Sequence, residues 1–396
     1  MKKLLTLAAI LLTSVVATLA GPPAHTGAAP QYTYVVNSNG DDGDQNVGDH
    51  ICADASGYCT LRAAIQEANA TIGLDEIDFD IIHDAPTTCI YDLFNPPVTP
   101  PITAICPTYT LPTISAPVII DGTKYGDAPG GYSPGTVELD GANGGGIGAG
   151  AGVDALLITA GGSTVKGLWI LGWGRYGIDL RTFGGNTIQA NWIGDVDDAS
   201  ADLGNDPWVP NTNDGVYIDN VPNNLIGGTE DKDRNVISGN GGVGSPSSPG
   251  YGVTISGSSA TGNIVEGNYV GTDVTGAKDE GNNKSGVYIN GAPNNTVGGT
   301  TSTTPGGPCT GSCNVISGNT SNGVEITGAA ATGNVVYGNF IGTTANGLVA
   351  RGNSSNGVYI NGASNNTIGG TSASARNVIS KNYSSGVSIN GSSSAG

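Results

Sequence analysis

Asn294-Asn295-Thr296-Val297-Gly298-Gly299-Thr300 occurs three times in nearly the same form. It is preceded by Asn223-Asn224-Leu225-Ile226-Gly227-Gly228-Thr229 and followed by Asn365-Asn366-Thr367-Ile368-Gly369-Gly370-Thr371, each 71 residues away. A fixed internal period decides the architecture before any single residue is interpreted. Within it runs a shorter one. Gly-Val-x-Ile begins at Gly215, Gly252, Gly286, Gly323, Gly357 and Gly386, in steps of 37, 34, 37, 34 and 29. Each 71-residue unit therefore holds two turns of chain, and each turn contains the pieces Val-x-Ile, Asn-x-Val/Ile and Asn-Val-Ile-Ser.

These pieces are too short for a helix face, and their apolar residues alternate with polar ones at the strand period of two. Val216 and Ile218, or Val358 and Ile360, are expected to point inward, with the residue between them facing out. Equivalent pieces stacked at about 4.8 Å make parallel sheets along a solenoid. The expected fold is all-β, a right-handed parallel β-helix with three strands per turn. Gly and Asn punctuate the turns because sharp corners need φ > 0, and inward Asn side chains can stack as a ladder that satisfies corner backbone groups. A buried Val or Ile contributes roughly 1.5–3 kcal/mol against an ordering cost of roughly 1–2 kcal/mol per residue, so a coil is stable only when stacked.

Upstream, Thr108 to Asp121, Val137 to Gly141, Leu156 to Thr159, Thr164 to Leu171 and Gly177 to Leu180 read as degenerate coils. This places the solenoid over residues 106–396. The run Gly386 to Gly396 parallels Gly252 to Gly262 and stops in mid-turn, which suggests a truncated last coil. Residues 32–105 form a separate capping region, whose one helix is Cys59 to Asn69, with Thr60 as N-cap and Leu61, Ala64, Ile65 and Ala68 on one face. A solenoid end needs such a lid over its open edge.

Lys2 and Lys3, the apolar stretch Leu4 to Leu19 and the small residue Ala20 have the layout of a secretory signal peptide over residues 1–20, followed by a linker over 21–31. No later stretch approaches eighteen apolar residues, so no membrane span is expected in the mature chain. Export to the medium or cell surface is the expected location. With 14 Lys and Arg against 33 Asp and Glu, the net charge is −19. Such a charge argues against a nucleic-acid partner. The six cysteines fall into close pairs, Cys52 with Cys59, Cys89 with Cys106 and Cys309 with Cys313, which suits local disulfides in an oxidising compartment. Fifteen pairings are formally open. A zinc site is the rival reading, disfavoured by only three His in the chain.

The segment Cys59-Thr60-Leu61-Arg62-Ala63-Ala64 resembles the N-terminal domain of secreted bacterial proteins named for its Cys-Ser-Leu-Arg-Glu-Ala motif, departing from it at the second and fifth positions. The Asn-Thr-Ile-Gly-Gly and Asn-Val-Ile-Ser-Gly-Asn blocks are similar to the β-helix repeats that follow that domain. Over residues 32 to 396 the resemblance implies a pectin-lyase-like fold and an exported location. It implies no reaction, because this fold hosts lyases, hydrolases and adhesins alike.

Two aromatic columns are the candidate ligand surface. Tyr217, Tyr288 and Tyr359 are the outward residues of alternate Gly-Val-x-Ile strands, with Thr254, Glu325 and Ser388 between them, so Tyr recurs about every 9–10 Å. Trp192, Tyr269 and Phe340 form a second column after the corner Asn. Rings in a row suit stacking against an extended glycan, a polysaccharide or a cell-surface chain. The plainer alternative is that they cover the sheet and support neighbouring rungs.

Asp195, Asp197, Asp198 and Asp202 are the densest acidic segment, followed by Asp206 and Asp214. Oxygen ligands at that spacing can hold Ca²⁺, against the plainer reading of a solvated acidic loop, and no cofactor is required. No His follows His83, so the Gly-His-Gly element of polygalacturonases is absent, and no Arg stands two residues before Pro as in pectate lyases. Asp273 aligns with Thr344 and Glu266 with Tyr337, as variable solvent positions would. The sequence thus favours a non-catalytic, glycan-binding surface or adhesive module over a polysaccharide lyase or glycoside hydrolase.

Overall fold

The computed structural model of the chain describes residues 29–83, 103–124, 137–141, 152–194, 196, 211–241, 249–300 and 307–391. The expected signal peptide and the end of the last coil lie outside them.

Successive short strands fall in turn into three sheets, and the described pairings between them are parallel. Sheet A has ten strands, from Thr33–Ser38 to Thr367–Ile368. Sheet B has nine, from Thr103–Ile105 to Val378–Ile379, and sheet C eight, from Leu156–Ile158 to Val387–Asn390. This is the all-β, right-handed parallel β-helix read from the repeat.

The start of the solenoid differs from expectation. Thr33–Ser38 pairs in parallel with Asp75–His83, which pairs with Val118–Asp121, so sheet A begins at Thr33 and not near residue 106. Tyr34, Ile77, Ile120 and Val165 follow one another through the register and are buried in the same core. The helix Leu61–Ala70 has Thr60 as its cap, its hydroxyl accepting from Ala63 N–H at 3.1 Å. Leu61, Ala64, Ile65 and Ala68 pack onto these first strands.

Val and Ile fill the interior as expected, with Val216, Ile218, Val358, Val265 and Ile341 buried in one cluster. The corners hold three asparagine ladders, one before each sheet. Before sheet B, Asn191, Asn235, Asn268, Asn314, Asn339 and Asn377 are joined by Nδ2-to-Oδ1 bonds of 2.8–3.2 Å. A second ladder runs from Asn186 to Asn366 before sheet A, and a third from Asn211 to Asn382 before sheet C. In each, an Oδ1 also accepts the backbone N–H of the Asn one coil earlier, as Asn282 does for Asn240. Corner N–H groups that would otherwise be buried without partners are thereby satisfied. Where sheet A turns toward the next corner, Gly227 has φ of 93°, and a Cβ there would lie 1.9 Å from the Glu266 carbonyl oxygen. Glycine is required at that place.

The outer side of sheet B is covered by a second, smaller core. Hairpins closed by the bridges between Thr272 and Asp279, and between Thr343 and Ala350, fold back over it. Val274 and Ala345 from these hairpins, with Cys309 and Cys313, pack on Tyr269, Val315 and Phe340. Asp273 is accordingly buried and caps its hairpin, accepting from Ala277 N–H at 2.8 Å and Lys278 N–H at 3.0 Å, and from the Thr275 hydroxyl at 2.7 Å. The expectation of a solvent position there is corrected, because the aligned Thr344 performs the same turn-closing role with its own hydroxyl. Glu266 is half-buried.

Disulfides join Cys52 to Cys59 and Cys309 to Cys313. Cys106 is also disulfide-bonded. Cys89 lies outside the described residues. Among the described residues, no helix is long and apolar enough to cross a membrane.

Candidate functional site: the outer face of sheet C

The outward residues of sheet C combine aromatic rings with carboxylates. Its ladder pairs run Asp179 with Tyr217, Tyr217 with Thr254, Thr254 with Tyr288, Tyr288 with Glu325, Glu325 with Tyr359, and Tyr359 with Ser388. Tyr217, Tyr288 and Tyr359 are thus brought into one column, two rungs apart, and each is half-buried.

A neighbouring column escaped the sequence reading. The residue just before the glycine of each strand motif is Tyr176, Asp214, Tyr251, Ser285, Asn322 and Asn356 in successive coils. Over the first four coils the two columns are out of phase, so a ring on one lies beside a smaller polar group on the other; beyond Tyr251 the second column holds only Ser285, Asn322 and Asn356. Tyr176 stacks on Tyr217 with ring centroids 4.4 Å apart, and Tyr251 on Tyr288 at 4.5 Å. One face of each of these rings is therefore covered by its partner. The tyrosine hydroxyls reach toward the next rung, where the Thr327 hydroxyl donates to Tyr288 Oη at 3.1 Å.

Carboxylates occupy the gaps between rings. Asp214 is buried in the same column as Tyr176 and Tyr251 and accepts the Tyr251 N–H at 2.9 Å. Burial pushes its pKa up to about 6, against the lowering effect of the Tyr251 and Gly250 N–H groups. The Thr254 hydroxyl lies close enough to favour the ionised form of Asp214, yet it makes no hydrogen bond of normal geometry. Asp179 is also buried. Arg175 Nη2 donates to it at 2.9 Å and Arg181 Nε at 2.8 Å, while Arg175 Nε reaches Asp154 at 2.6 Å. Burial first, and the charge of Asp154 second, raise Asp179 to about 7 despite both guanidinium groups. Burial likewise pushes up the Tyr176 and Tyr251 phenols.

The second predicted column is covered at Tyr269 and Phe340. Trp192 is half-buried, Tyr269 is buried and Phe340 fully so, beneath the sheet B hairpins. Their rings do point away from the solenoid interior, but Val274, Ala345 and the Arg234 guanidinium, 4.2 Å from the Tyr269 ring centre, occupy the space a sugar would need. Asp195, Asp197, Asp198 and Asp202 lie outside the described residues. Among the described residues, one group of three metal-capable side chains converges, Glu76, Asp78 and Asp121 on sheet A. Lys124 Nζ already sits among them, 2.7 Å from Glu76 and 3.0 Å from Asp78, and Lys166 Nζ lies 2.7 Å from Asp121. An ammonium thus supplies the positive charge there.

The sequence matches no family model and no curated protein. Solved structures align with it at low identity. A pectate lyase aligns at 15% identity and a TM-score of 0.43, covering 93% of this chain and 79% of its own. The A-module of a mannuronan C-5 epimerase from Azotobacter vinelandii aligns at 13% identity and a TM-score of 0.26, covering 90% and 96%. A protein of Geobacillus virus E2 aligns at 14% identity and a TM-score of 0.39, covering 90% and 60%.

The signal for the missed column was present in the sequence. Tyr176 and Tyr251 each stand immediately before the glycine that opens a sheet C strand. That position lies outside the alternating motif, so strand periodicity alone does not assign it a face.

Proposed function

We propose that the protein is an exported β-helical surface or adhesive module that binds an extended glycan along the outer face of sheet C. The reading rests on one observation, the register-fixed row in which Tyr217, Tyr288 and Tyr359 recur every second rung. A linear polymer with a regular repeat is the ligand that a straight, periodic row of rings can engage at several points at once. Because Tyr176 and Tyr251 cover one face of Tyr217 and Tyr288, contact falls on the remaining ring faces and edges. Export is supported by the signal-like residues 1–20, the Cys-Ser-Leu-Arg-Glu-Ala-like segment at Cys59, and the disulfides. Replacing Tyr217, Tyr288 and Tyr359 together by Ala is expected to abolish binding on a glycan array while leaving the circular dichroism unchanged. Binding that survives the triple substitution overturns the assignment.

A second reading is favoured by the Asp154, Arg175, Asp179 and Arg181 network. Burial raises the Asp179 carboxyl toward the range in which a general acid works, and a polysaccharide hydrolase or lyase would use such a group at a glycosidic oxygen. On this reading Asp179→Asn eliminates turnover of polysaccharides, assayed with and without Ca²⁺ by reducing ends and by unsaturated products. Absence of turnover by the wild-type protein on neutral and uronic-acid polymers removes it.

A further inference from the structure

We infer that Glu325 gives the sheet C face a preference for amine-bearing sugars over uncharged or uronic-acid ones, an inference that rests on the glycan-binding reading above. The carboxylates of this face are not equivalent. Asp154 and Asp179 are engaged by Arg175 and Arg181, and Asp214 is buried. Glu325 is half-buried, and among the described residues no Lys or Arg pairs with it. Its Oε2 accepts from the Ser285 hydroxyl at 2.6 Å and from Asn322 Nδ2 at 3.2 Å. Two donors on one oxygen fix the carboxylate, and among the described residues no hydrogen bond reaches Oε1.

The surroundings of Glu325 suit a cation. Its ladder neighbours are Tyr288 on one side and Tyr359 on the other. Tyr251, stacked on Tyr288, is close enough for the Glu325 charge to disfavour ionisation of its phenol. A preoriented carboxylate oxygen flanked by tyrosine rings offers an ammonium both a charge-assisted hydrogen bond and ring electrostatics. A uronic-acid polymer would meet the opposite field, from Glu325 locally and from the net charge of −19 at longer range. Asp179, the other carboxylate at an aligned outward position of this column, is already engaged by Arg175 and Arg181. Further aligned outward positions hold Thr254 and Ser388.

Calorimetric titration with three oligosaccharides tests this: a glucosamine hexamer, the N-acetylglucosamine hexamer that has the same stereochemistry with its amine capped, and a galacturonate hexamer. The wild-type protein is expected to bind the free-amine hexamer at least tenfold more tightly than the capped one, and the galacturonate weakest. Glu325→Gln keeps an oxygen for Ser285 and Asn322, and it should remove the difference between the first two without changing the melting temperature. Equal affinity for free and capped amines, tighter binding of galacturonate, or a preference that survives Glu325→Gln overturns the inference. In each of those cases the glycan-binding reading stands if the three-tyrosine variant loses binding. Failure to bind any hexamer, together with an unresponsive glycan array, overturns both.

Discussion

Asp214 shows how the tyrosine columns act on a single ionisable group. Flanked in its column by Tyr176 and Tyr251, it is cut off from water, and its pKa rises from the ordinary 3.8 to about 6. Between those values the folded chain holds a proton that the unfolded chain has released. The contribution to stability is therefore full below about pH 4, falls as pH rises through 6, and is constant above. At about 1.4 kcal/mol per pKa unit the loss is roughly 2–3 kcal/mol. Asp214→Asn has no charge to desolvate, so it is expected to match the wild type at pH 4 and to melt higher at pH 8. Melting curves at the two pH values check this, and a variant destabilised equally at both contradicts it. The sequence placed Asp214 at the end of an acidic loop, because nothing local announces that tyrosines from the coils before and after will cover it.

At the scale of elements, strands and corners were legible and covering layers were not. Val-x-Ile alternation identifies an inward face because the period of two is local, and the register then follows from the 71-residue repeat. The same logic placed Trp192, Tyr269 and Phe340 outward, which holds relative to the solenoid, but the hairpins built from Thr272 to Asp279 and Thr343 to Ala350 turn that outer side into an interior. Strand periodicity carries no record of such a cover. The Asn residues were readable as corner formers, and the structure shows ladders at all three corners of the coil. Asn268 stands mid-ladder: it accepts from Asn235 N–H at 3.3 Å and Nδ2 at 2.9 Å, and donates to the Ile226 and Glu266 carbonyls. Asn268→Ala leaves these buried groups without partners and is expected to cost about 1–3 kcal/mol. Hydrogen exchange should quicken at the Asn235 amide in particular. Unchanged protection there would mean that the ladder does not hold the corner.

Across the whole molecule, the boundary drawn near residue 106 dissolves, because strands Thr33–Ser38 and Asp75–His83 are the first two of sheet A. They lack the Gly-Gly-Thr and Gly-Val-x-Ile signatures of the later coils, and a repeat-based reading stops where its signatures stop. What unifies the molecule is stacking: each coil buries apolar side chains that it could not bury alone, and it completes the backbone bonding of its neighbours. The row of tyrosines on sheet C, and every proposal about it, depends on that register. Paired cysteine substitution reads the register directly, since side chains on adjacent parallel strands lie about 4.8 Å apart, within disulfide reach, and those two rungs apart do not. Tyr288→Cys combined with Glu325→Cys is predicted to form a disulfide on mild oxidation, detected by mass spectrometry. Tyr217→Cys combined with Tyr288→Cys is predicted to remain reduced. Cross-linking of the second pair, or failure of the first in a folded protein, would contradict the coil register and the fold with it.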